Sequence, residues 1–458
     1  LSPLKTKNRH FANHGGFFSH TNIIMKIALQ RATWLKTHLY LALIVGFFFA
    51  LIGLTGSVSV YREAIDEFLN PQLVIENPQG KRLSLDKIML AVQVAHPDQH
   101  GAWTLEMPST PHSMMTAWYD KPSETFFELY APLMVSVNPY TAEVVSSRYW
   151  GQTFTTWVLD LHTQLRLDRF GWILIGVFGI LLLVSVSTGV YLWWSDARQL
   201  WQALTVKHNA GLMRLLFDLH RLIGLFIAPM LLVLAFTGIQ LSYPQILETL
   251  FGASGMEHGE TGRVIISTAQ PNKHPTGLEA AEFIARSAFP RAELRRVTTP
   301  AGDTGIYRIN LRQPSEINHR HPFTTVWVDR WSGQIKEVRN PAKFATGEKI
   351  MEWLWPLHTG EAVGATGRFV WFFTGLALCF LYVSGVVHWL YRHGKVQDRA
   401  VNFAALRPLA YRAQQQVYQL GLALWQLLKG WVITATPHVK TGYALLLQWL
   451  ERGLAQLR

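Results

Sequence analysis

Four histidines recur at two fixed spacings, and a neutral imidazole is a ready metal ligand. His38 and His220 each stand 17 residues before a Thr-Gly pair, Thr55-Gly56 and Thr237-Gly238. His162 and His358 each follow a leucine, precede a threonine and stand 27 residues before a glycine, Gly189 and Gly385. All four lie at the ends of apolar runs. A single imidazole in such a place is ordinarily a polar anchor at headgroup depth, but ionisable groups in a bilayer are expensive and usually functional. The repeat sets His38 level with His220, and His162 level with His358. A two-fold arrangement would let each pair face inward across a gap, as six-coordinate b-type haem requires and as helical bundles provide. Zinc or copper asks for three or four converging ligands, usually with carboxylates or thiolates. Asp160 and Asp218 stand two residues before His162 and His220, an offset that does not share a helical face. His388, near the end of the fourth run, has Leu192 in its place in the repeat. It is an alternative ligand at the His38/His220 end.

The elements that position these residues are membrane spans. The 458 residues are 49% hydrophobic and 16% charged, with 18 Trp, against about 25% charged in soluble domains. Leu39–Tyr61, Trp172–Trp194, Leu222–Tyr243 and Phe369–Tyr391 are nearly free of charge and long enough to cross a hydrocarbon core of about 30 Å. Tyr and Trp mark their ends as aromatic belts. Lys26, Arg31 and Lys36, then Arg198, Lys207, Arg214 and Arg221, then Arg392, Lys395 and Arg399 flank the spans. By the positive-inside rule these flanks are cytoplasmic. Both termini then lie inside, and the two long connections face the periplasm of a Gram-negative cell. The net charge of +12 is spread along these flanks and not gathered into a nucleic-acid-binding run. A single cysteine, Cys379, excludes a disulfide framework, thiolate-ligated iron–sulfur clusters and covalent c-type haem.

The expected fold is a membrane α-helical bundle of four spanning helices in two tandem modules, carrying two small α+β domains on the periplasmic side. Each outside domain opens with a helix behind a Ser/Thr cap, Ser84–Ala95 and Thr276–Ala288. Each closes on a hairpin with an Asn- or Asp-led turn, Val135–Val144 and Val326–Ile335. The boundaries are an extension over 1–24, a flank and first span over 25–61, domain one over 62–161 and span two over 162–194. A cytoplasmic loop over 195–221, span three over 222–243, domain two over 244–357, span four over 358–391 and a helical tail over 392–458 complete the chain. In the tail, Val417–Ile433 approaches spanning length but is interrupted by Lys429 and Gly430, which favours interfacial helices over a fifth span. Glycines such as Gly176, Gly179, Gly224 and Gly375 suit close helix contact or room for a flat macrocycle. Arg166, Arg169 and Arg368 suit either haem carboxylates or snorkelling.

The two modules resemble the PepSY-associated transmembrane family over most of residues 34–395. The resemblance is carried by Asp218-Leu219-His220-Arg221 with Leu222, Gly224 and Leu225, by Thr237-Gly238, by Leu161-His162 and by Thr188-Gly189-Val190-Tyr191-Leu192-Trp193-Trp194. Val328-Asp329 with Ser332-Gly333, and Leu357-His358-Thr359-Gly360 with Gly367-Arg368, complete it. It implies two b haems on His38, His162, His220 and His358, with His388 and the tail as departures from the plain pattern. It also implies an oxidoreductase that reduces ferric siderophores at the periplasmic face, with a quinol or a cytoplasmic reductase as electron donor. No Gly-rich dinucleotide turn or flavin segment is visible, so the chain itself is not expected to oxidise NADPH. Trp103, Trp118, Tyr119, Trp327, Trp331, Arg308 and Arg320 are docking candidates, each also explicable as core or surface. The other readings are a PepSY-type sensory or inhibitory membrane protein and a metal or siderophore transporter. Broken helices and buried acids along a path, which transporters tend to show, are lacking.

Overall fold

A computed structural model describes residues 31–78, 80–194, 205–206, 211–251, 264–270, 273–398 and 426. The expected extension over 1–24 and the helices assigned to the tail lie outside the described residues. Long apolar helices dominate. The first run is two helices, α1 (Arg31–Ile44) and α2 (Gly46–Val60), bent by 62° where they meet. At that bend Gly46 takes the edge of the Tyr382 ring, where a Cβ would come within 2.7 Å. The span expected over Leu39–Tyr61 is therefore a bent pair, a broken helix where the sequence led us to expect none. α3 (Arg62–Leu69) follows directly.

The first α+β repeat is α4 (Leu85–Ala95) with β1 (Thr104–Glu106), β2 (Met115–Tyr119), β3 (Leu133–Val137) and β4 (Val144–Tyr149). A short α5 (Phe154–Gln164) leads to the long α6 (Asp168–Trp193). α7 (Leu212–Ser242) and α8 (Pro244–Phe251) lead to the second repeat, α9 (Leu278–Ala288) with β5 (Glu293–Thr298), β6 (Ile306–Arg312), β7 (Thr324–Asp329) and β8 (Ile335–Arg339). α10 (Thr346–Thr359) and the long α11 (Gly364–Arg392) close the pattern. Among the described residues α6, α7 and α11 are each long and apolar enough to cross a membrane, and the α1/α2 pair makes a fourth crossing if taken as one span. The chain is a membrane protein.

Contacts divide the chain into two compact units, Leu1–Val190 with Phe226–Val383 and Tyr191–Leu225 with Ser384–Arg458. In the first, the two α+β repeats do not form separate domains. They share one antiparallel eight-stranded sheet, ordered β4-β3-β2-β1-β5-β6-β7-β8. The joint is β1 on β5, with Leu105 opposite Val297. Alternation sends Leu105, Ala117, Val135, Val297, Ile309 and Val326 into a core shared with α4 and α9, and each of these six is fully buried. The two helices also cap each other. Asp86 accepts from the Leu278 and Glu279 amides at 2.7 and 3.1 Å, and Glu279 accepts from the Leu85 amide at 2.8 Å. Ser84 caps α4 as expected, but α9 has Gly277 at its cap position and no side-chain cap of its own. The Thr276 cap expected from sequence is replaced by a carboxylate from the other repeat.

Small residues let the long helices of this unit approach. Gly53 on α2 lies against Gly375 of α11, Ser57 donates to the Phe372 carbonyl at 2.8 Å, and Cys379 donates to the Ala50 carbonyl at 3.1 Å. On α6, Gly176 takes Tyr243 and Gly179 takes Ile239. Such contacts replace the hydrophobic drive that lipid removes. In the second unit, Asp218 is fully buried and bonded to Arg214 at 3.0 Å, with Arg221 at 3.7 Å.

Candidate metal centre

The four repeat histidines occupy copies of one local seat, a Ser/Thr-Gly pair on a long helix. The glycine leaves room for the ring and the hydroxyl reaches Nδ1. A methyl built at Gly56 would come within 2.8 Å of His162, at Gly189 within 3.1 Å of His38, at Gly238 within 3.2 Å of His358, and at Gly385 within 3.5 Å of His220. The preceding residues are Thr55, Thr188, Thr237 and Ser384, all buried.

Hydrogen-bond bookkeeping then fixes which ring nitrogen is available. His162 Nδ1 lies 2.9 Å from the Ile52 carbonyl, and His38 Nδ1 lies 3.0 Å from the Ser185 carbonyl. A carbonyl only accepts, so Nδ1 carries the proton in both. His358 Nδ1 meets Thr237 Oγ1 at 2.9 Å, while that hydroxyl donates to the Val233 carbonyl at 2.7 Å. With the hydroxyl proton so used, the Thr237 oxygen accepts from Nδ1. His220 Nδ1 meets Ser384 Oγ at 2.9 Å. Nδ1 engagement of this kind orients an imidazole and leaves Nε2 as the lone-pair nitrogen for a metal.

His162 and His358 do not sit on the spanning helices assigned to them. They lie on the short helices α5 and α10, each of which ends in a left-handed residue before the next span begins. Leu165 has φ +50° and Gly360 has φ +80°. Each reversal turns its helix back against a neighbouring span, where the ring finds its seat. The two rings face each other with centroids 6.2 Å apart and planes tilted by 47°. A metal–imidazole bond of about 2.0 Å, with roughly 1.1 Å from nitrogen to ring centre, puts two imidazoles on opposite sides of one metal about 6 Å apart. The separation therefore suits one metal ion ligated from both sides. Among the described residues no three His, Cys, Asp or Glu side chains converge on one point.

His388 has no such seat. Its ring lies 5.1 Å from Phe217 and its buried Nδ1 has no hydrogen-bond partner among the described residues. Asp160 does not touch the imidazole. It accepts from Trp150 Nε1 at 2.7 Å and from Arg166 at 2.8 Å, which fixes α5, while burial pushes its carboxyl up against the pull of both partners. Arg368 is likewise taken, by Glu361 at 3.4 Å, and Arg169 is exposed.

The docking candidates separate. Trp103 is core, and Tyr119 packs against it with ring centroids 5.0 Å apart and planes tilted by 52°. Trp331 is held at a turn by the Asp303 carbonyl. Trp118, Arg308 and Trp327 share a row on the sheet face away from α4 and α9, through Thr104 and Thr298. Arg320 pairs with Glu63. Sequence reasoning missed Ser384, Arg62, Trp150 and Trp355. A Ser/Thr before each of the four spaced glycines was the available signal for Ser384.

The profile of the PepSY-associated TM region matches residues 35–392. An uncharacterized protein of Pseudomonas aeruginosa is 28% identical over 324 residues, covering 66% of this chain and 79% of the relative. The match spans all four seated histidines and both halves of the sheet, and the chain belongs to the PepSY-associated TM family.

Proposed function

We propose that the protein is an inner-membrane electron-transfer oxidoreductase that reduces ferric iron in a periplasmic siderophore. In this reading His162 and His358 hold a b-type haem, and His38 and His220 are further haem ligands. The observation that carries it is the facing pair at 6.2 Å, with Nδ1 of both rings already bonded and Nε2 left over. The cationic flanks at Arg31, Lys36, Arg214, Arg221, Arg392 and Lys395 support an orientation with both termini inside and the sheet domain in the periplasm.

Bound haem would supply one-electron chemistry at the two depths. The chain's residues do the rest. The Ile52 carbonyl and Thr237 keep the rings in one tautomer, Gly56 and Gly238 admit them, and the apolar helices exclude water. One electron reaches each ferric chelate, Fe³⁺ becoming Fe²⁺. A quinol donor gives two electrons and two protons and so serves two chelates; a cytoplasmic reductase is the other donor class. Fe²⁺ is softer and less charged, so a hard-oxygen chelator releases it.

Optical spectra of the detergent-purified protein, oxidised and then dithionite-reduced, test this together with a pyridine haemochrome assay. About two b haems per chain are expected, falling to about one in His162→Ala or His358→Ala. A protein that stays colourless after haem supplementation rules the reading out and favours a sensory or inhibitory role.

A further inference from the structure

The sheet face away from α4 and α9 is polar, and its residues reach both helices that carry the facing histidines. Trp150 donates to Asp160 on α5, two residues before His162. Trp355, three residues before His358 on α10, meets the His321 ring at 4.6 Å, and His321 bonds Arg296 at 2.9 Å. Arg296 in turn bonds Glu106 at 3.1 Å, and Glu106 also accepts from Trp118 at 3.0 Å. Trp118 lies tilted against Trp150 at 5.9 Å, and the exposed Tyr130 meets it edge to face at 5.3 Å. A connected basic and aromatic cluster thus joins the sheet to the two helices that carry the histidine pair.

Its charges do not balance. Arg62, Arg295, Arg296 and Arg320 stand against Glu63 and Glu106, which are taken by Arg320 and Arg296. The next carboxylates, Glu293 and Glu361, are taken by Arg312 and Arg368. Arg62 and Arg295 are left over. Among the described residues Arg62 makes no hydrogen bond or ion pair, and its guanidinium lies over the Trp150 ring, 5.2 Å from the centroid. Burial and the neighbouring Arg320 charge both lower its proton affinity. A half-buried guanidinium presenting an unused planar fork beside an aromatic wall is a carboxylate receptor.

We propose that Arg62 is the centre of a carboxylate subsite over the His162/His358 pair. This rests on the reduction reading above. Two sources bring that chemistry to the position, the free carboxylates of an anionic ferric chelate and the propionate of haem held by the pair. If the chelate is the source, the protein prefers anionic carboxylate chelates over neutral or cationic ones.

Gallium(III) citrate, which is anionic and redox-inert, is titrated into the purified full-length protein and followed by calorimetry. Binding is readable whether or not haem is present, so loss of the haem reading and loss of this subsite give different results. Arg62→Gln is expected to weaken binding about tenfold or more, and Arg62→Lys less, because it keeps the charge and loses the fork. Lys87→Gln, exposed on the helix over the opposite sheet face, is expected to bind as wild type. The melting temperature of each variant checks folding. Unchanged gallium citrate binding in Arg62→Gln, with a shifted haem midpoint potential or faster haem loss to apomyoglobin, assigns the carboxylate to the cofactor. Unchanged binding, potential and haem retention together overturn the subsite, as does equal weakening in Lys87→Gln.

Discussion

At the scale of single residues, the four seats differ in how tightly the glycine is used. A Cβ at Gly56 meets His162 at 2.8 Å, closer than real contacts allow, whereas one at Gly385 meets His220 at an ordinary 3.5 Å. Gly56→Ala is therefore expected to displace His162 and to lower haem retention by about tenfold or more, the cost typical of misoriented ligands. Gly385→Ala is expected to leave retention within about twofold. Haem transfer to apomyoglobin measures both, and equal effects of the two substitutions would contradict the seat geometry. Gly56 and Gly385 were visible in the sequence as spaced glycines. Their unequal clearance was not, because it depends on how closely two backbones approach.

Among elements, the two hairpin turns are copies with different side chains. Asn138 and Asp329 each lead the turn and accept a following amide, Tyr140 at 2.9 Å and Trp331 at 2.9 Å. The left-handed position is Gly333 at φ +70° in one copy and Ala142 at φ +60° in the other. A Cβ there costs about 1 kcal/mol. Ala142→Gly should raise stability by about that much, seen as a higher melting temperature by scanning fluorimetry. In the second copy, burial alone would raise the Asp329 carboxyl, but the amides of Ser332, Thr268 and Trp331 and the Lys336 ammonium hold it well below the usual carboxylate range. An unfolded aspartate titrates near ~3.9, so this stabilisation is complete above that value and is lost as pH falls through the lower folded one. Asp329→Asn has nothing to titrate there. Its melting-temperature deficit against wild type should shrink between about pH 6 and about pH 3; a constant deficit would count against the assignment. The alternating strands and the Asn/Asp-led turns were legible locally, since a hairpin is specified by its own residues. The Thr276 cap was misread because the true cap, Asp86, comes from about 190 residues away.

For the whole molecule, the internal duplication closes on itself. The β1/β5 joint and the exchanged caps of Asp86 and Glu279 make the two repeats one sheet with one core. Leu105 sits at that joint with no exposure, and Leu105→Ala should cost about 2–5 kcal/mol. Both halves are expected to melt together, the single unfolding transition moving down as a unit. Two separated transitions in wild type or variant would mean that the repeats are independent domains.

The sequence by itself determined that this is a membrane chain built from two copies of one module, with four imidazoles in register. Hydropathy and spacing are one-dimensional, and a bilayer enforces them over each span. Only the tertiary structure decided that His162 and His358 ride on short helices folded back by left-handed turns, that their rings face each other, and that Arg62 lies over Trp150 with no carboxylate bonded to it. Those facts depend on chain reversals and on contacts between residues far apart in sequence, where a change of one backbone torsion redirects a whole helix.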